Sequence, residues 1–302
     1  RFCMSVEYEP FTYPYAKRLC AQLLNKYPFA AVSVLGRTVS KRAIFALSAG
    51  DASGESVLFV SGLSGADGVQ SLLLYRFFER ICHATAHDGT LCGVKLRKSL
   101  RGRRVVIVPC LNPDAPEIRR AGPLGAGTYA GMVSRAGTED YSHWCANARG
   151  VHIEHNFAFC HTPYPFQTAG AKTDGDTVYA GPAPESEAET QALVRLCRST
   201  PFRHGILLHG TGGRIFGSTP VSPATNDDVP LMARILAAAG EYTLSAKTPP
   251  LSCGSFPEWF SADCGAPAFE LSAVRAAEPE TQAEFDALWQ ETQEVLLLSA
   301  ML

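Results

Sequence analysis

Short apolar runs alternate with helical patterns along the whole chain. Runs rich in β-branched and other apolar residues predict strands, and the amphipathic segments between them predict helices. The predicted strands are Ala31 to Leu35, Ala43 to Ser48, Val57 to Ser61, Val105 to Val108, Ile206 to Leu208 and Ala268 to Leu271. Strands that alternate with helices are typical of an α/β fold with a largely parallel central sheet.

Helical spacing and end signals indicate three of the helices. Apolar residues repeat at this spacing after Ser71, and Ser186 with Glu189 predicts a capping box ahead of a second helix. A last helix is predicted to begin near Pro279. Ligands of open α/β sheets bind beyond the carboxyl ends of the strands. The loops after Ser61, Val108, Leu208 and Leu271 are therefore the predicted place of a site.

Composition and charge narrow the function classes. The chain has 302 residues, of which 46% are hydrophobic and 19% are charged, which predicts one globular domain over residues 1–302. The 27 basic residues balance 29 acidic ones, and the sequence pI is near 6.5. This balance disfavours nucleic acid and anionic membranes as partners. Because no run reaches the roughly 18 apolar residues of a membrane helix, no span is expected.

The ten cysteines are spread evenly, mostly inside apolar runs, and form no Cys-x-x-Cys motif. This pattern favours buried thiols in a reducing compartment, which predicts a cytoplasmic protein. Some disulfides remain an alternative. Because the chain begins at Arg1 rather than Met, a removed leader and secretion also stay open.

One segment resembles a known active-site strand. Residues from Asn147 to Phe157 read Asn-Ala-Arg-Gly-Val-His-Ile-Glu-His-Asn-Phe. They resemble the Asn-x-Arg-Gly-Val-Asp-Leu-Asn-(Arg/His)-Asn-Phe block of the carboxypeptidase A-like zinc metallocarboxypeptidases. Further matches follow in the family's order: Tyr27-Pro28-Phe29, Asn112-Pro113-Asp114, Ser186 to Thr190, Leu208-His209-Gly210, Gly254 to Trp259 and Phe269-Glu270-Leu271.

The resemblance implies a fold and a substrate class. The family has a mixed, mainly parallel central sheet flanked by helices on both faces. It hydrolyses peptides at their C-terminus with a bound zinc ion. Compact bacterial members often trim cell-wall peptides. The expected partner is therefore a peptide or a peptidoglycan stem peptide.

The metal site departs from the family pattern. The family supplies two zinc ligands as His-x-x-Glu after a buried strand, and Ser64 and Asp67 occupy those positions here. A neutral hydroxyl is a poor zinc ligand, whereas Asp67 keeps a carboxylate on a shorter stem. The resemblance assigns the third ligand to His209, which is unaltered. Two protein donors are expected to hold zinc weakly.

The residues that would handle substrate are also changed. Cys145 follows Trp144 where the family has a basic residue that stabilises the oxyanion. Glu154 and His155, with Asn156 beside them, replace the Asn-Arg pair that grips the terminal carboxylate. Glu270 matches the general base. The family's mobile tyrosine would fall near Pro249 or Pro250.

Each candidate residue also has a simpler interpretation. Asp67 fits an acid at a helix N-terminus, and His209 fits a hydrogen-bonded residue at a strand end. Glu270 would then pair with His209 or His155. A further hypothesis is a serine triad of Ser64 as nucleophile, His209 as base and Asp67 or Glu270 as the acid. The sequence around Ser64 only loosely resembles a nucleophile elbow.

The sequence supports two functional hypotheses. The first is a metallocarboxypeptidase-like protein that has lost conventional catalysis and retains a groove for peptides. The alternative is an active zinc metallocarboxypeptidase with an atypical site of Asp67, His209 and either His155 or His152. With Glu154 in the recognition strand, such an enzyme is expected to prefer a basic or amidated terminus.

Overall fold

The computed structural model describes residues 6–136, 139–159, 179–218, 231–245, 254–274 and 279–302. Its strands are β1 (Ala31–Arg37), β2 (Ala43–Gly50), β3 (Glu55–Val60), β4 (Thr90–Leu91), β5 (Val94–Lys95), β6 (Arg103–Val108), β7 (Phe202–Leu208), β8 (Arg214–Ser218), β9 (Thr243–Ser245) and β10 (Ala268–Ser272). Its α-helices are α1 (Tyr13–Lys26), α2 (Gly68–Ala86), α3 (Leu96–Ser99), α4 (Asp114–Ala121), α5 (Ala130–Ser134), α6 (Ala188–Ser199), α7 (Leu231–Gly240), α8 (Phe256–Cys264) and α9 (Gln282–Met301). Cys3, Cys160, Pro249, Pro250 and Cys253 lie outside the described residues.

Eight of these strands form one mixed sheet in the order β1-β2-β6-β3-β7-β10-β8-β9. The central strands β6, β3, β7 and β10 are parallel to one another. On the two sides, β2 and β8 pair antiparallel with β6 and β10, and the outermost strands β1 and β9 complete the sheet. The predicted fold class, an α/β fold with a mixed, mainly parallel sheet, is therefore confirmed.

Helices cover both faces of the sheet, as predicted. Alternate side chains of a strand point to opposite faces. In β3, Val57 and Phe59 face an apolar cluster with α1, α2, α7 and α9, while Leu58 and Val60 face a cluster with α6 and α8. Because both faces are covered, β3 is an apolar run rather than an alternating one.

Each of the six predicted strands overlaps an observed strand, and most extend a few residues further. Strands β8 and β9 and the small hairpin of β4 and β5 were not predicted. These strands have two to five residues, and β8 reads Arg-Ile-Phe-Gly-Ser. Such segments lack the continuous apolar run that identifies a buried strand in the sequence.

The predicted capping box at Ser186 is wrong. The N-cap residue of α6 is Glu187, whose side chain makes no cap hydrogen bond. The Ser186 hydroxyl instead donates to Glu187 Oε1 at 2.8 Å. A capping box does form at α9, where the Thr281 side chain accepts from the backbone N–H of Glu284. Helix α9 thus begins three residues after the predicted start near Pro279.

The cysteines of the described residues are thiols rather than disulfides, as predicted for this part of the chain. Cys20, Cys82, Cys110 and Cys197 are buried, while three others are at least partly exposed. The described helices include none with the length and apolar character required to cross a bilayer.

A buried acidic cluster holds the start of residues 147–157, which we call the Asn147 segment. Asp114, Glu187 and Glu189 are all fully buried. Asn147 Nδ2 donates to Glu187 Oε2 at 2.8 Å and to Glu189 Oε2 at 3.5 Å, and Arg42 pairs with Asp114 at 2.7 Å. Burial, followed by the negative charge of Asp114, raises the pKa of Glu189 from 4.5 to about 8. We therefore expect Glu189 to be protonated at neutral pH.

The raised pKa predicts a pH-dependent stability. The native state keeps the Glu189 proton up to about pH 8, whereas the unfolded chain releases it near 4.5. The stabilisation is therefore complete below pH 4.5 and is lost as the pH rises through 8. In the unaltered protein, we expect the free energy of unfolding, measured with urea, to fall by a few kcal/mol between these pH values. Glu189→Gln should abolish this fall. The exposed Glu139→Gln is the control, and an unchanged pH slope in Glu189→Gln would contradict the prediction.

Candidate functional site

The predicted site loops meet at the carboxyl edge of the central strands. The Ser61 hydroxyl donates to the Leu208 carbonyl at 2.8 Å, and the N–H of Leu111 donates to the Ser61 carbonyl at 2.9 Å. The N–H of His209 donates to the Leu271 carbonyl at 3.1 Å. The loops after β3, β6, β7 and β10 are thus joined, as expected for parallel strands that end at one edge.

Asp67 and His209 are in direct contact at this edge. His209 Nδ1 lies 2.9 Å from Asp67 Oδ2 and 3.0 Å from Oδ1. The backbone N–H groups of Ser64 and Gly210 also donate to the Asp67 carboxylate, at 3.0 Å and 3.3 Å. Asp67 is fully buried, and its carboxylate lies at the N-terminus of α2, where a negative charge is favourable.

Glu154 occupies the other side of the same imidazole ring. Its Oε2 atom lies 2.5 Å from His209 Nε2, while Oε1 lies 3.7 Å from His152 Nδ1 and 3.6 Å from His155 Nε2. About a fifth of the Glu154 side chain is exposed, and His209 and His155 are slightly less exposed. We call Asp67, His209, Glu154, His152 and His155 the imidazole–carboxylate cluster.

The charges in this cluster stabilise one another. Burial opposes a charged His209, but the charges and hydrogen bonds of Asp67 and Glu154 outweigh it and hold the pKa of His209 well above 6.5. Burial likewise opposes a charged Glu154, yet His209 and the hydrogen bond with His152 hold the pKa of Glu154 well below 4.5. Since carboxylates only accept, both ring nitrogens of His209 donate, and we expect an imidazolium between two carboxylates.

The donor set does not fit a three-ligand zinc site. A catalytic zinc ion requires three protein ligands and one open position. The described residues contain no group of three or more His, Cys, Asp or Glu side chains arranged to hold a metal ion. The Ser64 hydroxyl accepts a hydrogen bond from the N–H of Ala66 at 3.2 Å, and it supplies no charge to the site. Asp67 and His209 are thus in contact, and Ser64 at the remaining ligand position is a weak donor.

The serine-triad hypothesis is wrong. A triad requires that one imidazole nitrogen face the nucleophilic hydroxyl while the other faces an acid. Both nitrogens of His209 face carboxylates instead. The ring therefore has no lone pair with which to accept the Ser64 proton.

Cys145 adjoins the loop that carries Ser64, and Glu270 lies in the strand next to β7. The N–H of Gly65 donates to the Cys145 carbonyl at 3.4 Å, so Cys145 adjoins the Ser64 loop, and its thiol points to the His143 carbonyl at 3.3 Å. Glu270 is buried in β10 and pairs in register with Leu207 of β7. Because alternate residues share a face, Glu270 lies on the same face as Leu207 and, two residues later, His209.

Asn156 does not have the predicted role of a substrate contact. It is fully buried, and its Nδ2 atom donates to the carbonyls of Ala180 and Ala183 at 2.7 Å and 3.1 Å. Its Oδ1 atom accepts from the N–H of Glu187 at 3.1 Å. Asn156 therefore holds the segment that leads into α6. Glu154 and His155, in contrast, keep exposed surface.

Sequence reasoning missed two features of the site. It did not identify His152 as a partner of Glu154, and it did not predict the bond between Glu154 and His209. Alternation along a strand could not have signalled these contacts, because Glu154 lies in a short 3-10 helix over Ile153–His155 rather than in an extended chain.

A family model described as zinc carboxypeptidase matches residues 16–294 of this chain. The match covers most of the sequence and includes every residue of the imidazole–carboxylate cluster. The chain belongs to the zinc carboxypeptidase family.

Individual relatives are distant. A γ-D-glutamyl-L-diamino acid endopeptidase from Lysinibacillus sphaericus is 21% identical over 91% of this chain and 68% of its own length. The structure of thrombin-activatable fibrinolysis inhibitor matches with a TM-score of 0.71 at 16% identity, over 96% of this chain and 73% of that one. The structure of a murein-tripeptide amidase from Escherichia coli matches with a TM-score of 0.55 at 21% identity. This match covers 89% of this chain and 92% of that one. At such identities, the structural matches establish the fold alone.

The backbone of Gly254 packs closely against the backbone of His155. A side chain at position 254 is therefore expected to clash with it. Gly254 has a φ of +72°, and an added Cβ would lie 2.0 Å from the His155 carbonyl oxygen. Gly265 has a similar φ of +67°, but an added Cβ there meets nothing within 4 Å. We expect Gly265→Ala to cost about 1 kcal/mol of stability and Gly254→Ala at least ~3 kcal/mol in urea unfolding. Equal losses would contradict the steric argument.

Proposed function

We propose that this chain is a peptide-binding member of the zinc carboxypeptidase family that has lost zinc-dependent hydrolysis. The observation that carries the proposal is the position of His209 between two carboxylates. Asp67 contacts Nδ1 and Glu154 contacts Nε2, so both ring nitrogens are engaged within the protein. Ser64, at the remaining ligand position, offers only a neutral hydroxyl.

The other positions of the site support the same proposal. A general base such as Glu270 needs an activated water from which to take a proton. Cys145 supplies no positive charge to an oxyanion, and the loss of one such donor typically costs about 2.7–4 kcal/mol of transition-state stabilisation. The residues at the metal-ligand, oxyanion-stabilising and carboxylate-binding positions are thus all changed, and each change weakens hydrolysis.

The charge of the cluster suggests the ligand. Asp67 and Glu154 carry two negative charges beside one imidazolium, and Glu154 occupies the position at which the family binds a terminal carboxylate. A free carboxylate would meet a like charge there, whereas an ammonium or amide group would find an acceptor. The endopeptidase and murein-tripeptide amidase among the similar proteins carry names that point to peptidoglycan peptides. We therefore propose stem-type peptides with a basic diamino acid or an amidated terminus.

Metal content and activity test the loss of hydrolysis. We expect protein incubated with zinc and then dialysed to retain far less than one equivalent by elemental analysis. We also expect it to release no C-terminal residues from a peptide panel. Tight stoichiometric zinc together with such hydrolysis would refute the proposal and would support the active enzyme with Asp67, His209 and either His152 or His155.

A designed variant gives the matched comparison for this assay. Ser64→His with Asp67→Glu recreates the His-x-x-Glu pair beside His209 and supplies three zinc donors. We expect this variant to retain about one zinc equivalent, while Ser64→Ala retains as little as the unaltered protein. Equal zinc retention by all three proteins would contradict the role assigned to Ser64.

Calorimetric titration with short peptides tests the ligand class. The probes are γ-D-glutamyl-L-lysine peptides with a free or an amidated C-terminus. We expect the amidated form to bind roughly tenfold more tightly, a difference of about 1.4 kcal/mol. Glu154→Gln should reduce this preference, and Glu139→Gln, at an exposed position that is not part of the cluster, should leave it unchanged. Tighter binding of the free acid would contradict the predicted specificity.

A further inference from the structure

Two cysteines line a cavity at the opposite end of the sheet from the imidazole–carboxylate cluster. Cys197 lies in the last turn of α6, and Cys264 is the last residue of α8. Both border a cavity of about 340 Å³, together with Phe202, the first residue of β7. Since His209 follows the other end of β7, a rise of ~3.3 Å per residue places the cavity roughly 20 Å from the cluster.

The two cysteines lie at neighbouring ends of the helix pair. Cys197 is buried in the apolar cluster between α6 and α8, and Cys264 packs against that cluster while it borders the same cavity. Next to them, Arg198 Nε pairs with Asp263 Oδ2 at 3.0 Å. This ion pair joins the residue after Cys197 to the residue before Cys264, so it holds the two helix ends together.

The two thiols differ in exposure and in acidity. Cys197 is 4% exposed, whereas Cys264 is partly exposed. The hydrogen bond from Cys197 lowers the pKa of the Cys264 thiol, while burial raises the pKa of Cys197 well above 9.0. Burial also raises the pKa of Cys92, an exposed thiol between β4 and β5. A reactive thiol is accessible and forms its thiolate readily, which distinguishes Cys264 from these two.

We propose that Cys197 and Cys264 form a peroxide-sensitive dithiol, with Cys264 as the attacking thiol and Cys197 as the resolving thiol. The Cys264 thiolate attacks one oxygen of a hydroperoxide, the O–O bond breaks, and the departing hydroxide or alkoxide takes a proton from solvent. The Cys197 thiol then attacks the sulfenic sulfur. An S–S bond forms, and water leaves with the Cys197 proton.

The cross-link joins two helices that support the Asn147 segment. Helix α6 follows the segment held by Asn156, and the loop before α8 contains Gly254, which packs against His155. A bond between the ends of these helices restricts the unfolded chain and so stabilises the native state. The oxidised protein is therefore expected to unfold at a temperature on the order of 5 °C higher than the reduced protein.

Peptide mapping of the full chain after treatment with hydrogen peroxide tests the proposal. We expect one intramolecular cross-link between the Cys197 and Cys264 peptides, removed by dithiothreitol, together with the rise in Tm. In Cys197→Ser, the cross-link and the Tm rise should be lost, and a dimedone adduct should accumulate on Cys264. In Cys264→Ser, the buried Cys197 should stay unmodified.

Cys92→Ser is the matched control, because it removes an exposed thiol that the proposal does not use. It should keep both the cross-link and the Tm rise. Two results would overturn the proposal. In the first, Cys197 and Cys264 are recovered as thiols under conditions that oxidise Cys92. In the second, the cross-link joins other cysteines.

Discussion

The imidazole ring of His209 connects three parts of the chain that are distant in sequence. Asp67 follows β3, Glu154 lies in the Asn147 segment, and His209 follows β7. Each carboxylate is wholly or largely removed from water, and the imidazolium offsets the energetic cost of that burial. Removal of one partner from such a group leaves an uncompensated charge, which costs more than the pair contributes. The three residues therefore behave as one unit.

The Asn147 segment can carry Glu154 because both of its ends are held by hydrogen bonds to other parts of the chain. Asn147 is bound by Glu187, and Asn156 donates to Ala180 and accepts from the N–H of Glu187. Both ends are thus tied to the chain that enters α6. Asn147 and Asn156 match the family pattern, whereas Glu154, between them, departs from it. The matching residues hold the backbone, so the side chains in the middle can change without displacing it.

How far the sequence predicts this structure depends on the range of the interactions. The central strands were predictable because a strand buried on both faces is a continuous apolar run, as in β3. The capping box at Ser186 was misassigned because Asn156, distant in the chain, donates to the Ser186 hydroxyl at 3.0 Å, and local pattern rules do not consider such a partner. The bond between Glu154 and His209 joins residues far apart in the chain, and no local pattern encodes it. The family resemblance located both residues without indicating that they touch.

The fold and its chemistry are separable here because main-chain atoms position the site. The Gly65 N–H binds the Cys145 carbonyl, the Phe157 N–H binds the Gly254 carbonyl, and the His209 N–H binds the Leu271 carbonyl. Such bonds do not depend on which side chain a residue carries. The loops can therefore keep the family arrangement with Ser64, Cys145 and Glu154 at positions where the family pattern has other residues. Similarity of the backbone consequently supports the fold strongly, and the inherited reaction must be judged from the side chains.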